Sequence, residues 1–269
     1  MSEIFCFRRT GRGTIFLVLL SQIFCSFILP GEDKKEEKKI EPPQVLVCAP
    51  LGVVPGTTNL ILIRGLNLTN VTEIRFAQTN LGLEVKIKTK DKTKVPDKQD
   101  AKKAGDTQLE VELKIPANVT NETISFTVFS KETNSAPHAL LLLDGKTLLD
   151  EKEPNDGFRK PQKIQIPQTI RGSIEKSMDV DVFEFEGKAD EKIRAEVLAA
   201  VHGSALDSIL TLYDAHGHIL AVNDDGKSGR DSLLELKLPS NGICFLCLQD
   251  AHDLGGPAHP YVLKISTSP

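Results

Sequence analysis

The segment LDSILTLYDAHGHILAVNDD, Leu206–Asp225, consists of two apolar stretches on either side of a polar turn. Ser208–Asp214 and Ile219–Asn223 have the length and composition of short strands. Between them, Asp214-Ala215-His216-Gly217 carries a glycine of the kind that tight turns use. The segment therefore predicts a β-hairpin, and it places the C-terminal part of the chain in a β-fold.

Further short strands precede and follow this hairpin throughout residues 151–269. Eight or nine strands separated by glycine-rich turns predict a jelly-roll-like sandwich. The candidate strands are Thr169–Ile174, Asp181–Glu186, Lys192–Val201, Ser208–Asp214, Ile219–Asn223, Leu233–Leu238, Ile243–Gln249 and Tyr261–Ile265.

Residues 44–145 are also rich in short alternating strands, and seven such strands with turns predict an immunoglobulin-like sandwich. We find no convincing amphipathic helix there, and we interpret Lys86–Lys103, with its eight lysines, as a long solvated loop. The predicted fold class is all-β, with two tandem β-sandwiches. The candidate strands are Val45–Cys48, Leu60–Arg64, Glu73–Phe76, Leu83–Lys88, Gln108–Ile115, Thr123–Phe129 and Ala139–Leu143.

The N-terminus has the pattern of an export signal. Arg8, Arg9 and Arg12 precede the apolar stretch Thr14–Leu29, which is shorter than the roughly 20 residues of a comfortable membrane span. We therefore predict that residues 1–30 are a signal peptide, with an uncleaved anchor as the alternative. The protein is expected to be secreted, periplasmic or on the cell surface, with membrane contact only through an uncleaved N-terminal segment.

Residues 31–43 begin with the charged run GEDKKEEKK and end on Pro42-Pro43. A charged run without apolar residues cannot bury enough surface to fold, so we interpret residues 31–43 as a tether. The whole chain of 269 residues has a net charge of −4. Nucleic-acid-binding domains usually have a basic excess, so we expect no nucleic-acid partner.

The cysteines outside the signal segment argue against a disulfide scaffold, because there is an odd number of them: Cys48, Cys244 and Cys247. Cys244 and Cys247 lie three residues apart in the candidate strand Ile243–Gln249 and point to opposite faces. Three residues of strand span about 10 Å, whereas the Cα atoms of a disulfide lie within about 7 Å. We predict buried strand cysteines, and a zinc site is weakly indicated at most.

The segment APLGVVPGTTNLILIRGLNLTNVTEIRF, residues 49–76, resembles the start of an IPT/TIG-type immunoglobulin-like domain. This resemblance covers most of residues 44–145 and implies a spacer or interaction module. The positions that carry it are Pro50, Gly56, Gly65, Asn67, Leu68 and Phe76.

Residues 146–269 resemble the bacterial pre-peptidase C-terminal domain family. Such domains usually accompany secreted peptidase domains or belong to multi-domain surface proteins. The motifs, in order, are E-x-E-P-N-D at Glu151–Asp156, G-x-I at Gly172–Ile174, D-x-D-x-F-x-F at Asp179–Phe185, the hairpin quoted above, D-S-x-L at Asp231–Leu234, L-P-x-x-G at Leu238–Gly242, Gly255-Gly256, and Y-x-L-x-I at Tyr261–Ile265.

The opening motif places four oxygen-bearing side chains, those of Glu151, Glu153, Asn155 and Asp156, within six residues. In an extended segment the first three share one face. Hard oxygen ligands suit Ca²⁺, which takes 6–8 of them. The alternative interpretation is a turn and capping device, because Asn and Asp bond well to local backbone.

The resemblance also implies which residues complete a calcium site. In the collagen-binding members of the family, the acidic N-terminal segment combines with aspartates just before the D-x-F strand. Asp179 and Asp181 stand at these positions, although some members carry the first acid one residue earlier, where Met178 stands here.

Two further polar clusters are weaker candidates. Asn223–Gly226 follows the hairpin and is interpreted as a polar loop, with a second cation site involving Asp207 or Asp231 as the alternative. His216 and His218 lack a third ligand at zinc spacing.

The chain contains no nucleophile-elbow, HExxH or phosphate-loop motif, so we predict no enzyme activity. The expected function is a secreted or envelope-associated binding module that contacts extracellular protein or polysaccharide, with Ca²⁺ as a candidate stabilising ion. One alternative is a structural component of a cell-surface complex. Another is a hydrolase with an unrecognised site. Ser208, Asp207 and His202 are close in the sequence, but we assign all three to framework strands.

Overall fold

The structure is a computed structural model, and it describes residues 40–227 and 229–268. It is almost entirely β, which confirms the predicted fold class. The predicted signal segment and most of the predicted tether lie outside the described residues. Within the described part of the chain, no helix is long and apolar enough to cross a membrane.

The first pair of sheets has the strand orders β1-β3-β6-β5 and β2-β8-β7-β4. Their core is built by alternation: along β6, for example, Leu109, Val111 and Leu113 are buried while the residues between them face outwards. The elements are β1 (Gln44–Ala49), β2 (Gly52–Val53), β3 (Thr58–Leu66), a 3₁₀ turn (Leu68–Asn70), β4 (Glu73–Phe76), β5 (Glu84–Lys92), α1 (Ala101–Ala104), β6 (Thr107–Lys114), β7 (Thr123–Phe129) and β8 (His138–Leu142).

The second pair of sheets has the orders β10-β12-β17-β14-β15 and β16-β13-β18-β11-β9. The core between them includes Phe183, Phe185, Leu246 and Leu263. The elements are β9 (Leu148–Asp150), β10 (Gln162–Lys163), β11 (Gln168–Ser173), β12 (Val180–Gly187), β13 (Lys192–Leu198), a 3₁₀ turn (Ala200–His202), β14 (Ser208–Asp214), β15 (Ile219–Asn223), β16 (Leu233–Lys237), β17 (Gly242–Asp250) and β18 (Pro260–Ser268).

The two sandwiches pack on each other. Val47 and Leu141 of the first share an apolar cluster with Ala258 and Val262 of the second. Across the same junction Arg171 Nη1 donates a hydrogen bond to the Gly52 carbonyl at 2.7 Å. Residues 40–269 accordingly form one compact unit.

Two local predictions were wrong. The lysine-rich segment is only partly a loop: β5 extends to Lys92 because Thr89–Lys92 continue to pair with β6, and Ala101–Ala104 is a short helix with buried Ala104. The strand predicted to end at Val201 ends at Leu198, where the carboxylate of Asp231 accepts three backbone N–H groups and turns the chain.

The cysteine prediction is confirmed. Cys48, Cys244 and Cys247 are all free and buried. Cys244 belongs to the core of the second sandwich, and Cys247, three residues further along β17, lies on the opposite face. Burial raises the pKa of the Cys48 and Cys247 thiols to about 12, so neither is a reactive thiolate near neutral pH.

Candidate functional site

The structure brings all six predicted metal ligands to one place, at the end of the second sandwich. The acidic segment leaves β9 and carries Glu151, Glu153, Asn155 and Asp156, while Asp179 precedes β12 and Asp181 lies within it. The backbone N–H of Val182 donates to the Asn155 carbonyl at 3.1 Å, which ties the acidic segment to β12.

The carboxylates form two overlapping groups that share Glu153. One oxygen each of Glu151, Glu153 and Asp181 lie within 4.8 Å of one another, and so do one oxygen each of Glu153, Asp156 and Asp179. Within the described residues these are the groups of three or more potential ligands at such a spacing. The turn-and-cap interpretation covers only part of this arrangement, because it does not require aspartates from β12.

In several of these side chains, one polar atom is hydrogen-bonded within the protein and an oxygen atom remains available. Asn155 donates its amide N–H to Glu151 Oε1 at 3.2 Å, while its own Oδ1 is buried without a partner among the described residues. The backbone N–H of Asn155 donates to Glu153 Oε2, and that of Glu175 donates to Asp179 Oδ2. The side chains are therefore oriented before any cation arrives.

Tyr261 of β18 orients Asp181 in the same way, and the sequence did not identify it as a site residue. Its hydroxyl donates to Asp181 Oδ2 at 2.6 Å, and Asp181 Oδ1 remains buried and unpartnered in the described structure. Gly172 leaves the room for this contact: a Cβ there would lie 2.5 Å from the tyrosine oxygen and 2.7 Å from Glu151 Cβ. The G-x-I and Y-x-L-x-I motifs thus meet at the acidic cluster.

Lys176 is a second residue that the sequence did not identify. Its Nζ lies 3.1 Å from Asp156 Oδ1 and 3.3 Å from Asp179 Oδ1. These two carboxylates raise the pKa of Lys176, and the ammonium lowers the pKa of Asp156. One positive charge therefore lies among five carboxylates, in a position where it would compete with a divalent cation.

The ionised forms of Glu151 and Asp181 are destabilised by their surroundings. Burial, together with the neighbouring carboxylates of Glu153, Glu175 and Asp179, raises the pKa of Glu151 to about 7. Burial raises the pKa of Asp181 to about 8, even though the Tyr261 hydroxyl opposes the shift. A divalent cation would reverse both effects, because it compensates the charge that burial penalises.

The residues present fit a hard divalent cation. They supply carboxylate and amide oxygens without nitrogen or sulfur, which is the ligand set that Ca²⁺ prefers. The buried, unpartnered Oδ1 atoms of Asn155 and Asp181 are otherwise costly to leave unsatisfied. Asp179 Oδ1 is also without a well-oriented hydrogen bond, although the Lys176 ammonium is near.

The alternative second cation site is not formed among the described residues. Both oxygens of Asp231 accept backbone N–H groups of residues 199–201. Asn223 instead closes its own loop by accepting the Leu233 N–H at 2.7 Å. His218 Nδ1 pairs with Asp214 at 3.0 Å within the hairpin turn.

The outer face of the sheet β10-β12-β17-β14-β15 presents an exposed aromatic group. Phe158, which follows the acidic segment, packs against Tyr213 with ring centroids 5.1 Å apart and against Phe245 at 4.9 Å. Tyr213 and Phe245 are direct cross-strand partners in β14 and β17. Phe158 nevertheless remains 45% exposed.

Aliphatic side chains extend this face. Ile219 is paired with Tyr213, Val222 is paired with Thr211, and Ile243 lies two residues before Phe245, so all three project to the same side. We call Phe158, Tyr213, Ile219, Val222, Ile243 and Phe245 the aromatic face. It includes four of the eight large apolar residues that are exposed in the described structure. A clustered exposed apolar surface of this kind is typical of an interaction site.

The position of Ser208 does not suit a catalytic nucleophile. Ser208 is fully buried, and its hydroxyl bonds to Ser232 Oγ at 2.9 Å and to the Arg230 carbonyl. A hydroxyl held in this way inside the sandwich has no access to a substrate.

Comparisons with known proteins concern parts of the chain. No family model matches it. The chain is 40% identical over 117 residues to a probable subtilase-type serine protease of Deinococcus radiodurans, and the match covers 41% of this chain and 16% of that protein. The chain therefore spans about a sixth of the length of this curated relative.

Solved structures show only distant likeness. The pre-peptidase C-terminal domain of a Bacillus anthracis collagenase matches 39% of this chain and 94% of its own, with 18% identity and a TM-score of 0.33. The SGBP-B protein of a Bacteroides ovatus mixed-linkage glucan utilization locus, in complex with a heptasaccharide, matches 85% of this chain and 74% of its own, with 11% identity and a TM-score of 0.28.

Proposed function

We propose that this chain is an extracellular, non-catalytic binding module that contacts protein or polysaccharide through the aromatic face and is stabilised by Ca²⁺. The second sandwich would act as an accessory domain of the pre-peptidase C-terminal type, the family that residues 146–269 resemble. The IPT/TIG-like first sandwich would act as a spacer or interaction module. The clustering on one sheet face of half of the large apolar residues that are exposed within residues 40–227 and 229–268 carries the proposal.

The shape of the aromatic face supports a binding role. Aromatic side chains contribute most of the energy at many interfaces, because they bury a large area with few rotatable bonds. Phe158 is raised on a loop above Tyr213 and Phe245, so a partner that covers it also covers the strands beneath. Glu184, the cross-strand partner of Phe245, borders this apolar centre together with its ion-pair partner Lys163, as polar rims do at interfaces.

The acidic cluster supports a role for calcium in the same module. Glu153 and Asp156 belong to the loop that continues to Phe158. A cation bound between this loop and Asp179 and Asp181 would hold Phe158 in place on the sheet. Calcium would then stabilise the binding face without touching the partner.

The binding role is tested with Phe158→Ala combined with Phe245→Ala. The full chain is incubated with insoluble polysaccharides and with immobilised extracellular-matrix proteins, and the bound fraction is measured. We expect retention on at least one of these supports and a loss of tenfold or more in the double variant. Leu60→Ala, which removes a similarly exposed side chain from the first sandwich, is the matched control. Equal retention of all three proteins would contradict the proposal.

The calcium role is tested by thermal melts of the full chain with calcium and with chelator. A ligand that binds only the folded state adds about 2.7 kcal/mol at a hundredfold excess over its dissociation constant. We expect a calcium-dependent rise in melting temperature that Glu153→Ala with Asp156→Ala abolishes. Glu122→Ala with Glu132→Ala removes two exposed acids from the first sandwich and should leave the rise intact.

The match to a subtilase-type protease gives one competing proposal, a catalytic role. A screen of the full chain against peptide, ester and glycoside substrates decides between the two. Turnover that survives purification and is removed by a single substitution would favour the hydrolase. Binding without turnover would favour the accessory role.

A further inference from the structure

The turn between β14 and β15 carries two exposed histidines that the proposed function does not use. His216 and His218 lie on either side of Gly217, and their ring centroids are 6.0 Å apart. Gly217 has a φ of +83°, in the left-handed region that favours glycine, which permits the tight turn between them. The His218 side chain is 77% exposed. The turn therefore presents two neighbouring imidazoles to solvent.

Asp214, at the end of β14, determines which nitrogen of His218 is available. Its Oδ1 accepts the backbone N–H groups of His216 and His218 at 2.8 and 2.9 Å, and its Oδ2 lies 3.0 Å from His218 Nδ1. The hydrogen bond from the His218 backbone, together with those from the His218 ring and the His216 backbone, lowers the pKa of Asp214. The ionised carboxylate can only accept, so His218 Nδ1 carries a proton. In the neutral ring, Nε2 on the opposite side then has a free lone pair.

A carboxylate that holds a histidine in this way is the usual outer partner of a metal-bound imidazole. It fixes the orientation of the ring and makes the other nitrogen a better electron-pair donor. Both oxygens of Asp214 are already hydrogen-bonded, so the aspartate is suited to be a positioning residue rather than a metal ligand. The ligands offered to an ion are the two imidazoles.

The separation of the two rings suits a single ion. Metal–nitrogen bonds of about 2.0–2.1 Å place the centroids of two imidazoles on one ion roughly 4.5–6.5 Å apart, depending on the angle between the bonds. The observed 6.0 Å lies in this range. Imidazole nitrogen suits Cu²⁺, Ni²⁺ and Zn²⁺, whereas Ca²⁺ takes oxygen ligands. The hairpin turn and the acidic cluster therefore favour different kinds of ion.

We propose that the hairpin turn binds one divalent transition-metal ion through imidazole nitrogens of His216 and His218. Two protein ligands leave further coordination positions open, and water fills them in the isolated chain. Ile219, the next residue, belongs to the aromatic face, so the ion lies at the edge of that face. The affinity should be higher for Cu²⁺ than for Ni²⁺, because nitrogen sites follow that order.

Titration calorimetry of the full chain with Ni²⁺, in the presence of excess calcium, tests the proposal. We expect an affinity that falls at least tenfold in His216→Ala and in His218→Ala, because either change leaves a single imidazole. His252→Ala is the matched control: His252 is also exposed and lies 3.6 Å from Asp207, but it is not paired with a second exposed histidine in the described structure. Unchanged affinity in either of the first two variants, or an equal loss in His252→Ala, would overturn the proposal.

Nuclear magnetic resonance with Zn²⁺ locates the ion directly, because the chain has six histidines. The ring Cε1–H signals of His216 and His218 should shift together on titration, and the other four should not. Shifts that are absent, or confined to one of the two rings, would refute the shared site. Glu153→Ala with Asp156→Ala should leave the zinc-induced shifts unchanged, which separates this site from the acidic cluster.

Asp214→Asn tests the positioning role. The amide keeps an oxygen that can accept the backbone N–H groups of the turn, but it lacks the charge that selects the Nδ1–H form of His218. We expect a three- to tenfold lower Ni²⁺ affinity at an unchanged melting temperature. The ring ¹⁵N shifts of metal-free His218 should change from the Nδ1–H form to a mixture of both forms. Unaltered ¹⁵N shifts would show that Asp214 does not orient the ring.

Discussion

Lys176 is the residue whose removal should be most informative at the acidic cluster. Its ammonium lies against Asp156 and Asp179, two of the proposed calcium ligands. Lys176→Met removes a competing positive charge. Because the lysine is exposed and screened by solvent, the gain should be modest, about two- to fivefold in calcium affinity. Calorimetric titration with calcium measures it, and weaker binding in Lys176→Met would show that the lysine supports the site.

The hydrogen bond of the Tyr261 hydroxyl should contribute more to the free energy of unfolding than an ordinary surface hydrogen bond does. Tyr261→Phe leaves the buried Asp181 with both oxygens unpartnered among the described residues. The expected loss in the free energy of unfolding is about 1–3 kcal/mol, measured by urea denaturation in chelator. Tyr213→Phe changes the only other tyrosine of the chain, which lies on the aromatic face. Its effect should stay within about 0.5 kcal/mol, and equal losses in the two variants would contradict this account.

The loop from β9 to β10 connects the acidic cluster to the aromatic face. It contributes four of the six proposed ligands and then Phe158, and it contains little regular structure of its own. Such a segment is ordered mainly by its anchoring contacts, so we expect it to be more ordered when the cation is bound.

Calcium removal should therefore destabilise residues 151–161 before it affects other parts of the chain. We expect faster amide hydrogen exchange there in chelator than in calcium, while the core strand β17 exchanges at similar rates in both. Peptide-resolved exchange mass spectrometry measures both regions. Uniform acceleration throughout the second sandwich would instead indicate that the cation supports the global fold.

The stability of the entire chain should depend on pH through Glu151 and Asp181. Without a metal, the folded state raises these pKa values from 4.5 to about 7 and from 3.8 to about 8. At these two groups the folded state then binds more protons than the unfolded state between about pH 4 and pH 8. Burial lowers the pKa values of His138, His202 and His259, which acts in the opposite direction below about pH 6.5. Stability in chelator should therefore fall as pH rises from about 6.5 to 8. Calcium should stabilise more strongly at pH 8 than at pH 5.5, because it must displace these protons.

Melting temperatures at several pH values, with and without calcium, measure this dependence. Glu151→Gln should flatten the fall in chelator, because it removes one of the two titrating groups. A matched change at an exposed acid, Glu122→Gln, should not alter the slope. A melting temperature in chelator that rises from pH 6.5 to pH 8 would contradict the assignment.

Much of the local structure was predictable, because strand formation depends on neighbouring residues. The alternation of Leu109, Val111 and Leu113 and the turn at Asp214–Gly217 predict their elements directly, and both are present. The errors arose where a distant contact overrode the local pattern. The carboxylate of Asp231 ends β13, and pairing of Thr89–Lys92 with β6 extends β5 into the lysine-rich segment.

The residue types and the order of motifs were enough to identify six oxygen-bearing candidates and an all-β chain, since both follow from composition and short-range periodicity. The partners of those candidates were not predictable. Tyr261 lies 80 positions from Asp181, and Phe158 reaches the sheet across a loop. Such neighbours are set by strand register and by the packing of one sandwich on the other, which involve the energies of many distant contacts at once. The local sequence therefore specifies the strands and the acidic candidates, and long-range packing specifies the surroundings that make them sites.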